Sequence, residues 1–191
     1  MYIAIEGIDT AGKSTQIEAL KAVFRDAIIT KEPGATAIGK EIRSLVLAAK
    51  AQSKKAEFLL FLADRAEHIK EVIEPNLGKK MIISDRSAIS GVAYALTQEE
   101  IPTADLVALN NFATNGTYPQ KVFLLRLTKE ELEYRLSQKE LDGIELRGSE
   151  YLLSIQNAIE EAAKLLDIEL IIIDATLSRE AITQEILKHI Q

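Results

Sequence analysis

The opening stretch MYIAIEGIDTAGKST, residues 1–15, constrains the fold more than any other part of the chain. An apolar run passes at once into a glycine-bounded loop and then into a helix-forming segment. Gly7, Gly12, Lys13 and Ser14 fill G-x-x-x-x-G-K-[ST], the pattern of a phosphate-binding loop. Its glycines reach backbone conformations closed to residues with a Cβ. Successive N–H groups across Gly7, Ile8, Asp9, Thr10, Ala11, Gly12, Lys13, Ser14 and Thr15 can therefore turn inward on phosphate oxygens. The next helix places its unpaired N–H groups and positive dipole end under the same anion. Lys13 adds a full charge for the β- and γ-phosphates of a nucleotide, and Ser14 offers a hydroxyl to Mg²⁺. An ordinary glycine turn can match this pattern by chance. Here Tyr2 to Glu6 before it and Ile17, Leu20, Val23 and Phe24 after it supply the strand and the amphipathic helix that the motif requires.

Four more apolar runs follow, Ala27–Thr30, Met81–Ser84, Val122–Leu127 and Leu170–Ile173. All are rich in Ile, Val and Leu without strict alternation, as strands buried on both faces should be. Helical patterns separate them, which predicts right-handed βαβ units: an α/β P-loop NTPase fold with a five-stranded parallel sheet and helices on both faces. With 191 residues, no repeat and no shift of composition, residues 1–191 read as one domain. A net charge of -6 argues against a nucleic-acid polymer or an anionic membrane as partner, so local cations must hold any nucleotide. There is no cysteine, hence no disulfide or thiolate chemistry. No signal-peptide pattern and no apolar run near the roughly 20 residues of a membrane span is found, and a cytoplasmic location is expected.

Strand three ends in Ser84-Asp85-Arg86, at the sheet edge where open parallel sheets bind ligands. Asp85 reads either as an acid for chemistry or as a helix N-cap. Arg86, Ser90 and Tyr94 recur at four-residue spacing and share one helix face. Earlier, Ile38–Leu47 and Lys55–Glu74 are helical patterns, the second with Phe58, Leu62, Ala66 and Ile69 on one apolar stripe. Phe61 and Arg65 lie one turn apart beside that stripe. Phe61 reads as core, or with Arg65 as an aromatic and guanidinium pair able to stack on a base and bond its edge. Lys31-Glu32-Pro33-Gly34 is a turn with a charge pair. The polar segment 137–149 is a mobile lid or a surface connection. His68 and His189 have no second ligand at metal spacing and read as solvated or capping residues.

Taken together these stretches resemble the thymidylate kinase family, bacterial type. The matching blocks are IEGIDTAGKST, TKEPGAT, EIRSLVL, EFLLFLADRAEH and ISDRSAISGVAYA, with LDGIE in the lid. The resemblance implies transfer of phosphate from ATP to dTMP with Mg²⁺, in a homodimer. It implies that Asp9 reaches the 3′-hydroxyl and phosphate region of dTMP, that Phe61 stacks on thymine, and that Arg65 donates to its O4. It further implies that Arg43 and Arg86 clamp the dTMP phosphate, with Arg86 bridging to the transferred group. Asp85 would stand beside the acceptor phosphate and Mg²⁺, Ser90 near the pyrimidine edge, and Tyr94 against the sugar's 2′ position. Glu32 would support the arginines and Pro33 touch the base. Helix faces on Phe58–Ile69 and Ile89–Leu96 are candidates for the dimer contact, and core packing explains them equally.

Two departures stand out. Relatives carry a catalytic arginine in the phosphate loop or in the lid, where this chain has Thr10 and Gly143. Arg147 is the candidate to replace it, with Arg135 and Lys139 as alternatives. Arg126 stands where an acid is common, and the sequence suggests no function for it. The rival readings are a P-loop kinase for another nucleoside or nucleoside monophosphate, and a nucleotide-dependent binding switch. No N-K-x-D element that would read guanine is present.

Overall fold

The computed structural model describes residues 1–48, 50–140 and 145–190. Five strands, β1 (Tyr2–Glu6), β2 (Ile28–Lys31), β3 (Ile82–Asp85), β4 (Lys121–Arg126) and β5 (Leu170–Asp174), form one parallel sheet in the order β2-β3-β1-β4-β5. The expected strands are all present, most displaced by about one residue. β1 is buried along its whole length between β3 and β4, and Ile3, Ile5, Ile83, Phe123 and Leu124 are wholly buried around it. Apolar residues on both faces are what a sheet covered on both sides demands. Each large side chain so buried contributes about 1.5–3 kcal/mol.

The helices are α1 (Lys13–Val23), α2 (Ala37–Leu47), α3 (Lys54–His68), α4 (Glu74–Asn76), α5 (Ala88–Leu96), α6 (Thr103–Thr114), α7 (Lys129–Ser137), α8 (Ser149–Leu165) and α9 (Arg179–Ile190). They flank the sheet in two packing groups. α1 packs on α9, while α3, α5, α6 and α8 pack on one another, with α2 against α3 and α7 against α8. In the register, Ile5 of β1 pairs with both Asp85 and Phe123, and Lys31 of β2 pairs with Asp85. The carboxyl ends of β1, β2 and β3 therefore open onto one edge.

Two expectations are corrected here. The helical pattern Lys55–Glu74 is not one α-helix: between α3 and α4 a wider π-helical turn runs over Ile69–Ile73. It lies just ahead of Pro75, whose missing N–H and ring obstruct a regular turn. The stripe on α3 is also rotated, because Ala66 is exposed whereas Asp64, Arg65 and His68 are buried beside Phe58 and Leu62. On α5 every residue from Ala88 to Ala93 is buried while Tyr94 and Leu96 are half-buried, so core packing accounts for most of the face Ile89–Leu96.

Candidate active site

A cleft of about 450 Å³ opens over that strand edge, lined by the phosphate loop and by Lys31, Glu32, Arg43, Asp85, Arg86 and Lys139, among others. The loop's shape depends on three left-handed residues: Gly7 (φ 148°), Thr10 (φ 70°) and Gly12 (φ 95°). A Cβ on Gly7 would stand 3.0 Å from the Leu125 carbonyl oxygen and 3.1 Å from the Ala11 Cβ, so only glycine fits. Gly12 begins α1 without a side-chain cap, which leaves the first N–H groups of the helix for an anion. The Lys13 ammonium lies 3.1 Å from the Ile8 carbonyl oxygen and 3.7 Å from Asp9 Oδ1. Burial and the neighbouring Arg86 pull it down to about 8, against the pull of Asp9. Ser14 and Thr15 are exposed on the cleft wall.

Arg86 holds the second cationic position. Its backbone is in the left-handed region (φ 69°), an uncommon conformation for a bulky residue, and its N–H donates to the Ile5 carbonyl at 3.0 Å. The guanidinium donates to Asp9 Oδ1 (2.8 Å), the Gly7 carbonyl (3.1 Å) and Ser90 Oγ (3.1 Å). Burial alone would raise the Asp9 carboxyl, but Arg86 and Lys13 outweigh it and hold it below its ordinary value. The Ser90 hydroxyl in turn donates to Glu6 at 2.5 Å, and Ser87 donates to the other Glu6 oxygen at 2.8 Å. Glu6 is wholly buried, and burial raises its carboxyl in spite of Arg86 and the two hydroxyls. Ser90 is thus committed to this network.

Asp85 Oδ1 is buried without a hydrogen-bond partner among the described residues. Such an oxygen suits a hard cation. No group of three or more potential metal-ligating His, Cys, Asp or Glu is found among the described residues. Mg²⁺ takes one or two protein oxygens and completes its shell with phosphate and water. Asp85 and the exposed Ser14 fit that donor set.

On the β2 side, Glu32 is the hub of a buried polar network. Its carboxylate accepts from Arg65 Nε (2.9 Å) and bonds His68 Nδ1 (2.9 Å), and His68 Nε2 bonds Thr30 Oγ1 (2.7 Å). Burial pushes Glu32 up, but Arg65 and His68 outweigh it and hold the carboxyl below its ordinary value. Arg65 Nη1 donates to Asn110 Oδ1 at 2.7 Å, and Arg65 is only 2% exposed. His68 is therefore a core residue, neither solvated nor capping: the rotated stripe of α3 carries it inward, where Glu32 and Thr30 satisfy both ring nitrogens. Phe61 is partly exposed one turn from Arg65 and packs against neither apolar core cluster. Arg43 Nη1 donates to the Pro33 carbonyl at 3.0 Å and lines the cleft. Tyr94 packs against the core, and burial pushes its phenol up to about 12.

Of the expected lid, residues 137–140 and 145–149 are described, and Gly143 lies outside the described residues. The three candidate cations separate clearly. Arg147 lies over the Tyr151 ring, 3.6 Å from its centroid, and does not line the cleft. Arg135 spans the Thr10 carbonyl (3.0 Å) and the Ala175 carbonyl (2.7 Å), tying the phosphate loop to the loop after β5. Lys139 does line the cleft, with its ammonium 2.6 Å from Glu145. Arg126 pairs with Glu160 of α8, a surface contact.

A model of the family described as thymidylate kinase matches residues 5–186. The chain belongs to the thymidylate kinase family. The thymidylate kinase of Sulfurimonas denitrificans is 71% identical over 100% of this chain and 99% of its own length. That of Wolinella succinogenes is 56% identical over 95% and 94%. A crystal structure of thymidylate kinase from Ehrlichia chaffeensis superposes with a TM-score of 0.76 at 25% identity, covering 100% of this chain and 98% of that one. Within this family member, Glu6, Asn110 and His68 contact the expected site residues; Glu6 and His68 fall inside the matching blocks without an assigned role, and Asn110 falls outside them. Their only signal is a polar residue inside an apolar pattern, as with Glu6 closing an otherwise apolar strand.

Proposed function

We propose that the whole chain, as one kinase domain, phosphorylates dTMP to dTDP with ATP and Mg²⁺. What supports this is that the phosphate loop and a second set of cations, Arg43 and Arg86, line one cleft, so two phosphates can meet there. Their mutual repulsion is the barrier to be overcome, and fixed positive charge lowers it. The acceptor phosphate is itself an anionic nucleophile, so no strong general base is needed. Lys13 and the loop N–H groups grip the donor, and Arg86, spanning toward Asp9, steadies the group in flight. Arg43 and Asp9 hold the dTMP phosphate and sugar region, with Glu32 bracing Arg65 and Pro33 beside the base. Phe61 stacks on thymine and Arg65 donates to its O4. Ser90 acts through Arg86, and Tyr94 closes the sugar pocket. Ser14 and Asp85 would hold Mg²⁺, which when bound neutralises phosphate charge.

Lys139 takes the place of the missing lid cation, because it alone among the three candidates lines the cleft. Exchange of its Glu145 contact for the phosphates would deliver its charge. Leu59 on α3 and Phe112 on α6 are 54% and 85% exposed on packed neighbouring helices, and they replace α5 as the face for a cytoplasmic homodimer. A coupled ADP-release assay with ATP, Mg²⁺ and a panel of dTMP, dUMP, dCMP, dGMP and UMP tests the reading. Release should be fastest with dTMP. Equal release with every acceptor, or with none, would refute it.

A further inference from the structure

Gly91 occupies the fourth position of α5, a place where alanine would favour the helix by about 1 kcal/mol. Its neighbour explains it. A Cβ there would stand 2.8 Å from Arg65 Nη2 and 3.7 Å from Arg65 Cζ, too close for the guanidinium to stay. Arg65 has no room to yield without losing partners: Nε is held by Glu32 at 2.9 Å and Nη1 by Asn110 at 2.7 Å. Those partners are themselves anchored. His68 bonds the other Glu32 oxygen, and the Asn110 amide donates to the Leu106 carbonyl at 2.7 Å, which turns its Oδ1 toward Arg65. Helices α3, α5 and α6 thus converge on one planar fork.

We infer that Gly91 is a specificity-determining position of the acceptor site. Its missing side chain lets the Arg65 guanidinium lie against α5, where Glu32 and Asn110 orient it toward the pyrimidine. The inference rests on the proposed role of Arg65 as reader of thymine O4. A donor fixed at that point matches the oxygen of thymine and opposes the amino group of cytosine. Gly91 and Asn110 are positioning residues, acting through Arg65.

The test compares wild type, Gly91→Ala, Arg65→Lys and the double variant in steady-state kinetics, with thermal melts as a check on folding. Gly91→Ala should raise KM for dTMP about tenfold, the loss of one hydrogen bond to a charged group, and narrow the preference for dTMP over dCMP. KM for ATP should not move. In the Arg65→Lys background the added methyl should cost nothing further, because the atom it meets is gone. If Gly91→Ala fails to fold while the double variant folds, Asn110→Ala, which releases Arg65 Nη1 without adding bulk, must show the raised KM and narrowed preference, and wild-type values there overturn the inference. If both fail to fold, or Gly91→Ala keeps wild-type KM and preference, the inference is overturned while the role of Arg65 stands. If Arg65→Lys itself leaves KM for dTMP unchanged, the base-reading role fails and takes the inference with it.

Discussion

Lys13 shares its pocket with Arg86, and the two cations face each other with Asp9 between them. Burial, with Arg86 beside it, pulls the Lys13 ammonium down to about 8 in the free enzyme against the opposing pull of Asp9, so it loses its charge as pH rises through that value. The charged form is the one that grips phosphate. Accordingly kcat/KM for ATP should fall as pH rises through about 8, since that ratio reports groups of the free enzyme. Bound phosphates favour the charged ammonium, so kcat at saturating ATP should hold to higher pH. A flat kcat/KM profile between pH 7 and 9.5 would count against this. Lys13→Ala should lower turnover by a factor on the order of 10²–10³. Glu6 acts one step further back: Ser90 donates to it and accepts from Arg86, so an ionised Glu6 fixes which way the Ser90 hydroxyl points. Glu6→Gln puts an amide donor against one of the two hydroxyls. Turnover should drop about tenfold with KM for ATP unchanged, and the acid limb of the pH profile should shift.

Among the elements, α5 concentrates the most roles. Ser87 caps it by accepting from the Ile89 N–H at 3.3 Å while donating to Glu6; Ser90 and Gly91 lie side by side on its first turn and Tyr94 one turn further on. Ser87→Ala removes a cap and leaves a buried carboxylate oxygen short of a donor, so calorimetry should show a loss of about 1–3 kcal/mol. The contrast between elements shows what was legible in the sequence. The phosphate loop and β1 were readable because their function lies in consecutive residues and in local backbone rules. The helix pattern on α3 was readable in outline, yet its burial was misplaced at Ala66, since apolar spacing gives no sign that an arginine and a histidine will be drawn inward by Glu32, over thirty residues away. Gly91 and Asn110 were invisible for the same reason: each is defined by Arg65 on another helix. Arg147 stands just beyond the lid motif, which makes it the sequence's candidate, but the ring of Tyr151 in α8 holds it instead.

For the whole molecule, the strand order brings the ends of β1, β2 and β3 to a single cleft, and helices α3 and α6 leave apolar side chains outside it. Phe112, at 85% exposure, is the most exposed large apolar residue among those described. Phe112→Asp should shift sedimentation from dimer to monomer with the helical content kept. An unchanged sedimentation profile, dimer or monomer, would count against the proposed homodimer through this face. No helix among the described residues is long and apolar enough to cross a membrane. Phosphorus NMR of the protein with ATP, Mg²⁺ and dTMP reads out whether one cleft joins donor and acceptor. dTDP and ADP should appear in equal amounts, with ATP unconsumed when dTMP is left out. ADP appearing with inorganic phosphate, at the same rate with and without dTMP, would contradict the shared cleft.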